Sequence, residues 1–293
     1  MNRRNYTYAF TILLLLCIIG LTLLSETGST ANPNHKISVV TSLPLVKDIV
    51  EKIGGTKVTV ESIIQGPSCQ HEYEPSAGDM KRLAGCAVFV KLGMGSDVWT
   101  DKLASGALNK KARFIDASRG IQTLKVRGLV NPHYWGNPGN VKQMARNILN
   151  ALNEALPQER PYFTANYQSF IAELEKNAAA LKAKAATVAN KKFVSYSNAF
   201  PYFYQYFGFN NIATVELSCE REVTPKEIAV AAKLIQKQKI GVLVGDIVEP
   251  NEPDGLAGET HARKILLWAT TDGSNDYLKT LRHNVTTLVE ALQ

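Results

Sequence analysis

Residues 161–190 read PYFTANYQSFIAELEKNAAALKAKAATVAN, and this stretch decides the architecture. Apolar side chains recur at Phe163, Tyr167, Phe170, Leu174, Ala178, Leu181, Ala185 and Val188. That spacing of three and four residues draws one stripe along a helix. Pro161 suits the first helical turn, where its missing N–H has no partner to lose. Thirty helical residues would extend roughly 45 Å at 1.5 Å per residue, enough to cross a small domain. A helix of this length in the middle of the chain reads as a strut joining two lobes. The pattern alone also admits a long core helix within a single domain.

Both flanks alternate between strand and helix. On the N-terminal side HKISVVTS, KVTVESII, CAVFVKLG and ARFIDAS read as strands. Helical segments over LVKDIVEKIGG, residues 76–85 and residues 97–108 separate them, and a helix over 138–155 leads into the strut. Beyond it KKFVSYS, IATVEL, IGVLVGD and KILLWA read as strands, with helices over 199–207, PKEIAVAAKLIQKQ and the closing DYLKTLRHNVTTLVEALQ. Such alternation predicts parallel βαβ units. The fold class is therefore α/β: two lobes, each with a mainly parallel sheet flanked by helices, joined by one long helix. The expected divisions are an N-terminal lobe over 32–158, the linking helix over 159–190 and a C-terminal lobe over 191–293.

The chain has 293 residues, 45% of them hydrophobic and 20% charged, an ordinary globular composition. Its formal net charge of +7 comes from scattered lysines rather than a basic stripe interleaved with aromatics, so no nucleic-acid partner is indicated. Arg3 and Arg4 precede an apolar run from Ala9 to Leu24, followed by the small residues Ser29, Thr30 and Ala31. That layout is a secretory signal peptide over residues 1–31, with an uncleaved anchor as the alternative. Leu16 before Cys17 is bulky where a lipid-attachment signal has a small residue. Export implies an oxidising compartment, in which Cys69, Cys86 and Cys219 remain, an odd number.

In open parallel sheets ligands bind beyond the carboxyl ends of the strands. The corresponding loops hold Cys69 and His71 in GPSCQHEYEPS, Ser197 and Asn198, Cys219, and Asp246 with Glu249. A further loop, NPHYWGNPGN, carries His133. Neutral imidazole with carboxylate or thiolate makes a transition-metal site, although a loop histidine by itself fits a hydrogen-bonding or surface role equally. His261 and His283 read as surface or packing residues on helices. Catalytic signatures are missing: GMGSD is not the serine elbow, and neither phosphate-binding glycine motif occurs.

Five ordered blocks resemble the zinc/manganese-type (cluster A-I) solute-binding receptors of bacterial ABC transporters. GPSCQHEYEPS is similar to the family's first signature around a proline-histidine pair. NPHYWGNPGNVKQMARNI is similar to the second, YSNAFPYFYQYFGF to the third, LVGDIVEP to the fourth and DYLKTLRHNVTTLVEAL to the terminal helix. The likeness covers roughly residues 37–292. It implies two lobes on one rigid helix, with a divalent transition metal held in the cleft between them. Zinc or manganese stands first, with iron or copper as alternatives. The cargo would pass to an ABC permease from the periplasm or the outer face of the cytoplasmic membrane. The protein would act as a monomer and not as an enzyme.

Carried over by position, the resemblance gives His71 and His133 as the first two ligands. Ser197 stands at the third, where the family has histidine or glutamate, and Asp246 at the acidic residue of the fourth block. Some members use an aspartate before the last helix, which is Asp272 here. Serine is a poor zinc ligand, and two histidines with one carboxylate leave a tetrahedral site short of one protein donor. Water, Cys69 or Cys219 would fill that place; a Cys69–Cys219 disulfide and no direct role are the competing readings. Cys86 reads as a core thiol. The histidine- and acid-rich insertion of many zinc-specific members is replaced by VRGLV. The alternative function is a divergent paralogue with an incomplete metal site, acting as metal chaperone, metal-chelate receptor or adhesin. A zinc hydrolase is disfavoured because no motif places a general base.

Overall fold

The computed structural model describes residues 36–66, 70–106, 111–216, 221–269 and 276–293. The expected signal segment, Cys69, Cys219 and Asp272 lie outside these residues.

Strand β1 (Ile37–Thr41) lies between β2 (Val58–Ser62) and β3 (Val88–Lys91), with β4 (Arg113–Asp116) beside β3 at the edge. All pairings are parallel, and Val39 sits opposite both Val60 and Val88. Helices α1 (Pro44–Gly54), α2 (Ala77–Gly85) and α3 (Trp99–Gly106) connect these strands. The inner strands are almost wholly apolar because both faces are covered. Ser76 and Asp79 form a reciprocal capping box at the start of α2.

A hairpin follows, β5 (Leu124–Val126) against β6 (Leu129–Asn131). The short VRGLV connection noted in the sequence is therefore ordered structure. Its two turn residues, Arg127 and Gly128, both have positive φ, 47° and 86°, as the twist of a tight hairpin requires. Helix α4 (Pro138–Ala155) starts under an Asn137 cap, whose Oδ1 accepts from the Gly139 N–H at 2.8 Å.

The strut is α5 (Arg160–Ala186), 27 residues and so about 40 Å long. It ends at Ala186, short of the Asn190 that the sequence pattern suggests. Its buried side chains are Phe163, Phe170, Ile171, Leu174, Ala178, Leu181 and Ala185, the expected stripe with Ile171 added and Tyr167 at its margin. On one side it packs against α1 and α4.

The second half repeats the design with β7 (Lys192–Ser195), α6 (Pro201–Phe207), β8 (Asn210–Thr214), α7 (Pro225–Gln238), β9 (Val242–Asp246), α8 (Asp254–Thr260), β10 (Arg263–Leu267) and α9 (Tyr277–Leu292). The sheet is again parallel, in the order β10-β9-β7-β8. Helix α9 also packs on α5 and touches α1. One apolar core runs from Val39 in the first sheet through Phe163 and Leu174 to Phe203 and Val285 in the second half. The lobes are thus welded through the strut and not merely tethered.

Polar bonds reinforce the weld. The Asp48 carboxylate on α1 accepts from the Tyr277 N–H at the start of α9 at 2.9 Å, and the Tyr277 hydroxyl donates to the Trp135 carbonyl at 2.8 Å. The smallness of Gly136 has a packing reason. A Cβ there would lie 2.9 Å from the Phe203 backbone nitrogen on α6. His261 caps the end of α8 with φ 57°, one residue beyond the helix, because Thr260 is its last helical position. His283 stacks on Trp268 with ring centroids 3.6 Å apart, a packing role.

Candidate metal centre

The two loop histidines come together. His71 sits in a single 3-10 turn (Gln70–Glu72) beyond β2. The Trp99 indole N–H donates to the Gln70 carbonyl at 2.9 Å and anchors that turn to the first lobe. His133 stands between Pro132 and a second 3-10 turn (Tyr134–Gly136). The fully buried Tyr134 donates its hydroxyl hydrogen to the Leu92 carbonyl at 2.8 Å. The His71 and His133 ring centroids are 5.9 Å apart with their planes inclined by 71°, and the Trp135 ring lies 5.1 Å from His133.

Burial holds the His133 ring in its neutral form. Burial, with His71 beside it, pushes its pKa down to about 3, so the imidazole is neutral at any physiological pH. Its Nδ1 is buried and has no hydrogen-bond partner. A buried unsatisfied nitrogen is costly, and a cation would relieve that cost. Gln70 places its side-chain nitrogen 3.5 Å from His71 Nε2.

The other candidates line the carboxyl ends of the second sheet. Ser197 is buried, and its Oγ accepts from the Ala199 N–H at 3.2 Å. Asp246 ends β9; its Oδ1 accepts from the Val248 N–H at 3.1 Å and the Ala269 N–H at 3.4 Å. Burial pushes the Asp246 carboxyl up to about 7, with the Glu249 charge adding to the rise. Ala269 joins this side to the histidines: its carbonyl accepts from the Trp135 indole N–H at 2.6 Å. It also lies immediately before residues 270–275, which carry Asp272.

Glu216, which follows β8, was not singled out from the sequence. Its carboxyl is buried, and burial together with Glu252 and Glu249 pushes it up to about 8. Glu216, Glu249 and Glu252 bring carboxylate oxygens within 4.8 Å of one another, a group among the described residues that contains neither histidine. The available signal was a lone carboxylate within the mostly apolar IATVEL run. Cys86 is buried, its thiol donates to the Leu83 carbonyl, and burial raises its pKa to about 11; it is the expected inert core thiol.

The zinc-uptake complex component A (ZnuA, periplasmic) family model matches residues 39–291. The metal ABC transporter substrate-binding lipoprotein SloC of Streptococcus mutans is 29% identical over 245 residues, 80% of each chain. The manganese-binding lipoprotein MntA of Halalkalibacterium halodurans is 23% identical over 300 residues, 99% of each chain. A crystal structure of ZnuA superimposes with a TM-score of 0.80 at 24% identity, covering 88% of this chain and all of that one. With its family model matched over residues 39–291 and its two lobes built about one long helix, this chain belongs to the ZnuA family of metal-uptake receptors.

Proposed function

We propose that this receptor holds a single divalent transition metal ion between its lobes through His71 and His133, completed by oxygen donors of the second lobe. The family assignment makes the chain the substrate-binding component of a metal ABC transporter; the ligand set is our reading of the site. The observation that carries it is the His71–His133 pair, in which a neutral, buried imidazole keeps a ring nitrogen without any partner. Asp246 is the first oxygen donor, Asp272 the second, and Ser197 contributes at most a weak contact because its hydroxyl already serves the Ala199 N–H. Cys69 and Cys219 are further candidate donors. The cargo is zinc or manganese first, then iron or copper. A mixed nitrogen and oxygen set suits these borderline and harder ions.

The lobes comprise residues 32–158 and 191–293 about a 159–190 link, and residues 1–31 are the export signal. The receptor works as a monomer in the periplasm or on the outer face of the cytoplasmic membrane, and hands its ion to a membrane permease without catalysing a reaction. Because the core is continuous through α5, capture proceeds by reordering of the cleft loops rather than by wide hinge closure. Titration of metal-stripped protein with zinc and manganese, repeated for His71→Ala and His133→Ala, tests the reading. Loss of tight one-to-one binding in both variants is expected; undiminished binding in either would place the cargo elsewhere.

A further inference from the structure

We propose that Asn131 is a positioning residue that ties His133, on the first lobe's side of the cleft, to the Ser197–Asn198 loop of the second lobe. The inference rests on the cargo site proposed above. Asn131 ends the β6 strand of the hairpin and is only 1% exposed. Its Oδ1 accepts from the His133 backbone N–H at 3.0 Å. Its Nδ2 donates to the Asn198 carbonyl at 2.8 Å and to Asn198 Oδ1 at 3.1 Å. The amide orientation is chemically determined. Turned over, its NH2 would face an N–H and its oxygen would face two oxygens.

Asn198 is itself 8% exposed. Hydrogen bonds therefore run without a break from the His133 N–H through the Asn131 amide to Asn198. Pro132 separates Asn131 from His133, and its fixed φ makes the link stiff. The rest of the hairpin sits on the second lobe as well: the Leu124 N–H donates to the Tyr202 hydroxyl at 2.6 Å and Arg127 Nη2 to the Thr214 carbonyl at 3.0 Å. His71, by contrast, is referenced to the first lobe through Gln70 and Trp99. The spacing of the two ligands thus depends on how the lobes are aligned, and Asn131 transmits the alignment at His133 itself, beside the Trp135 bonds to Ala269 and Tyr277. Neighbours that orient a ligand typically matter 10–100-fold in metal affinity.

Asn131→Asp keeps the acceptor for His133 and removes the donor to Asn198; Asn131→Ala removes both. Zinc and manganese affinity, the release rate, the visible spectrum of the cobalt(II)-loaded protein and the metal-free Tm are measured for parent, both variants and His133→Ala. The expected result is about 10–100-fold weaker binding for both Asn131 variants, with faster release and a shifted cobalt spectrum. A lowered metal-free Tm with parental affinity and spectrum would reduce Asn131 to a folding role and overturn the inference. So would parental binding in Asn131→Asp beside weak binding in Asn131→Ala, since the bond to Asn198 would then be irrelevant. Should Asn131→Ala not fold, the isosteric Asn131→Asp decides alone. Parental binding by His133→Ala is a separate failure, that of the cargo site itself.

Discussion

Replacing Asp48 by asparagine should change the pH dependence of stability in a way that its geometry fixes in advance. Asp48 lies on α1 with its side chain almost entirely buried, accepts from the Tyr277 N–H of α9, and pairs with Lys52 at 3.2 Å. Burial outweighs both partners and pushes its carboxyl from the ordinary 3.8 up to about 6. Above pH 6 the folded protein therefore carries a charge that the unfolded chain would hold more comfortably in water. As pH falls through 6 the folded state takes up a proton that the unfolded chain does not bind until near 4, so this group's contribution to stability rises on acidification. The difference corresponds to about 3 kcal/mol. In Asp48→Asn the amide oxygen would still accept from Tyr277, without the charge. In urea unfolding from pH 4 to 8, variant and parent should be offset in the variant's favour at pH 8, and that advantage should shrink by about 2 kcal/mol by pH 4. Titrating groups away from Asp48 and its neighbours Lys52 and Asp276 cancel in the difference. Parallel curves for the two proteins would refute the assignment of a buried, proton-binding carboxyl between the lobes.

Further consequences are as direct. Leu174→Ala on the strut, at 1% exposure, should cost about 2–5 kcal/mol in denaturant unfolding, through lost burial and the cavity left behind. Gly136→Ala forces a Cβ to within 2.9 Å of the Phe203 backbone and should lower stability by about 1–3 kcal/mol, read as a depressed Tm with metal absent. Metal affinity should rise between pH 5 and 8, because Asp246 keeps its proton up to about 7 and the ion must displace it. His133, held near 3, adds nothing to that slope, so calorimetry in buffers of differing ionisation heat should find proton release fading above pH 8.

Much of the fold was legible in the sequence because its signals are local and mutually consistent. The Thr224-Pro225 start places α7 at Pro225–Gln238, and the apolar stripe of 161–190 marks a long helix by period alone. The hairpin was not legible. Leu124–Asn131 is short, and its bonds are to Tyr202, Thr214 and Asn198, far away in sequence. Strand β8 starts earlier than its apolar signal, since Asn210 and Asn211 open it and asparagine is a poor strand former. At the site, the histidines stood out through their proline- and aromatic-rich loops. Glu216 and Asn131 did not, because what makes them notable is burial and partnership, which single residue types do not announce. The serine at the third ligand position was visible, but the engagement of its hydroxyl by Ala199 was not.

The most direct test is anomalous diffraction at the metal edge from crystals of protein loaded with one equivalent of zinc or manganese. The expected result is a single strong peak between the lobes, about 2.0–2.2 Å from a ring nitrogen of both His71 and His133, with carboxylate oxygen completing the shell. A peak bound elsewhere, for instance among Glu216, Glu249 and Glu252 with both imidazoles uninvolved, would contradict a histidine-centred cargo site.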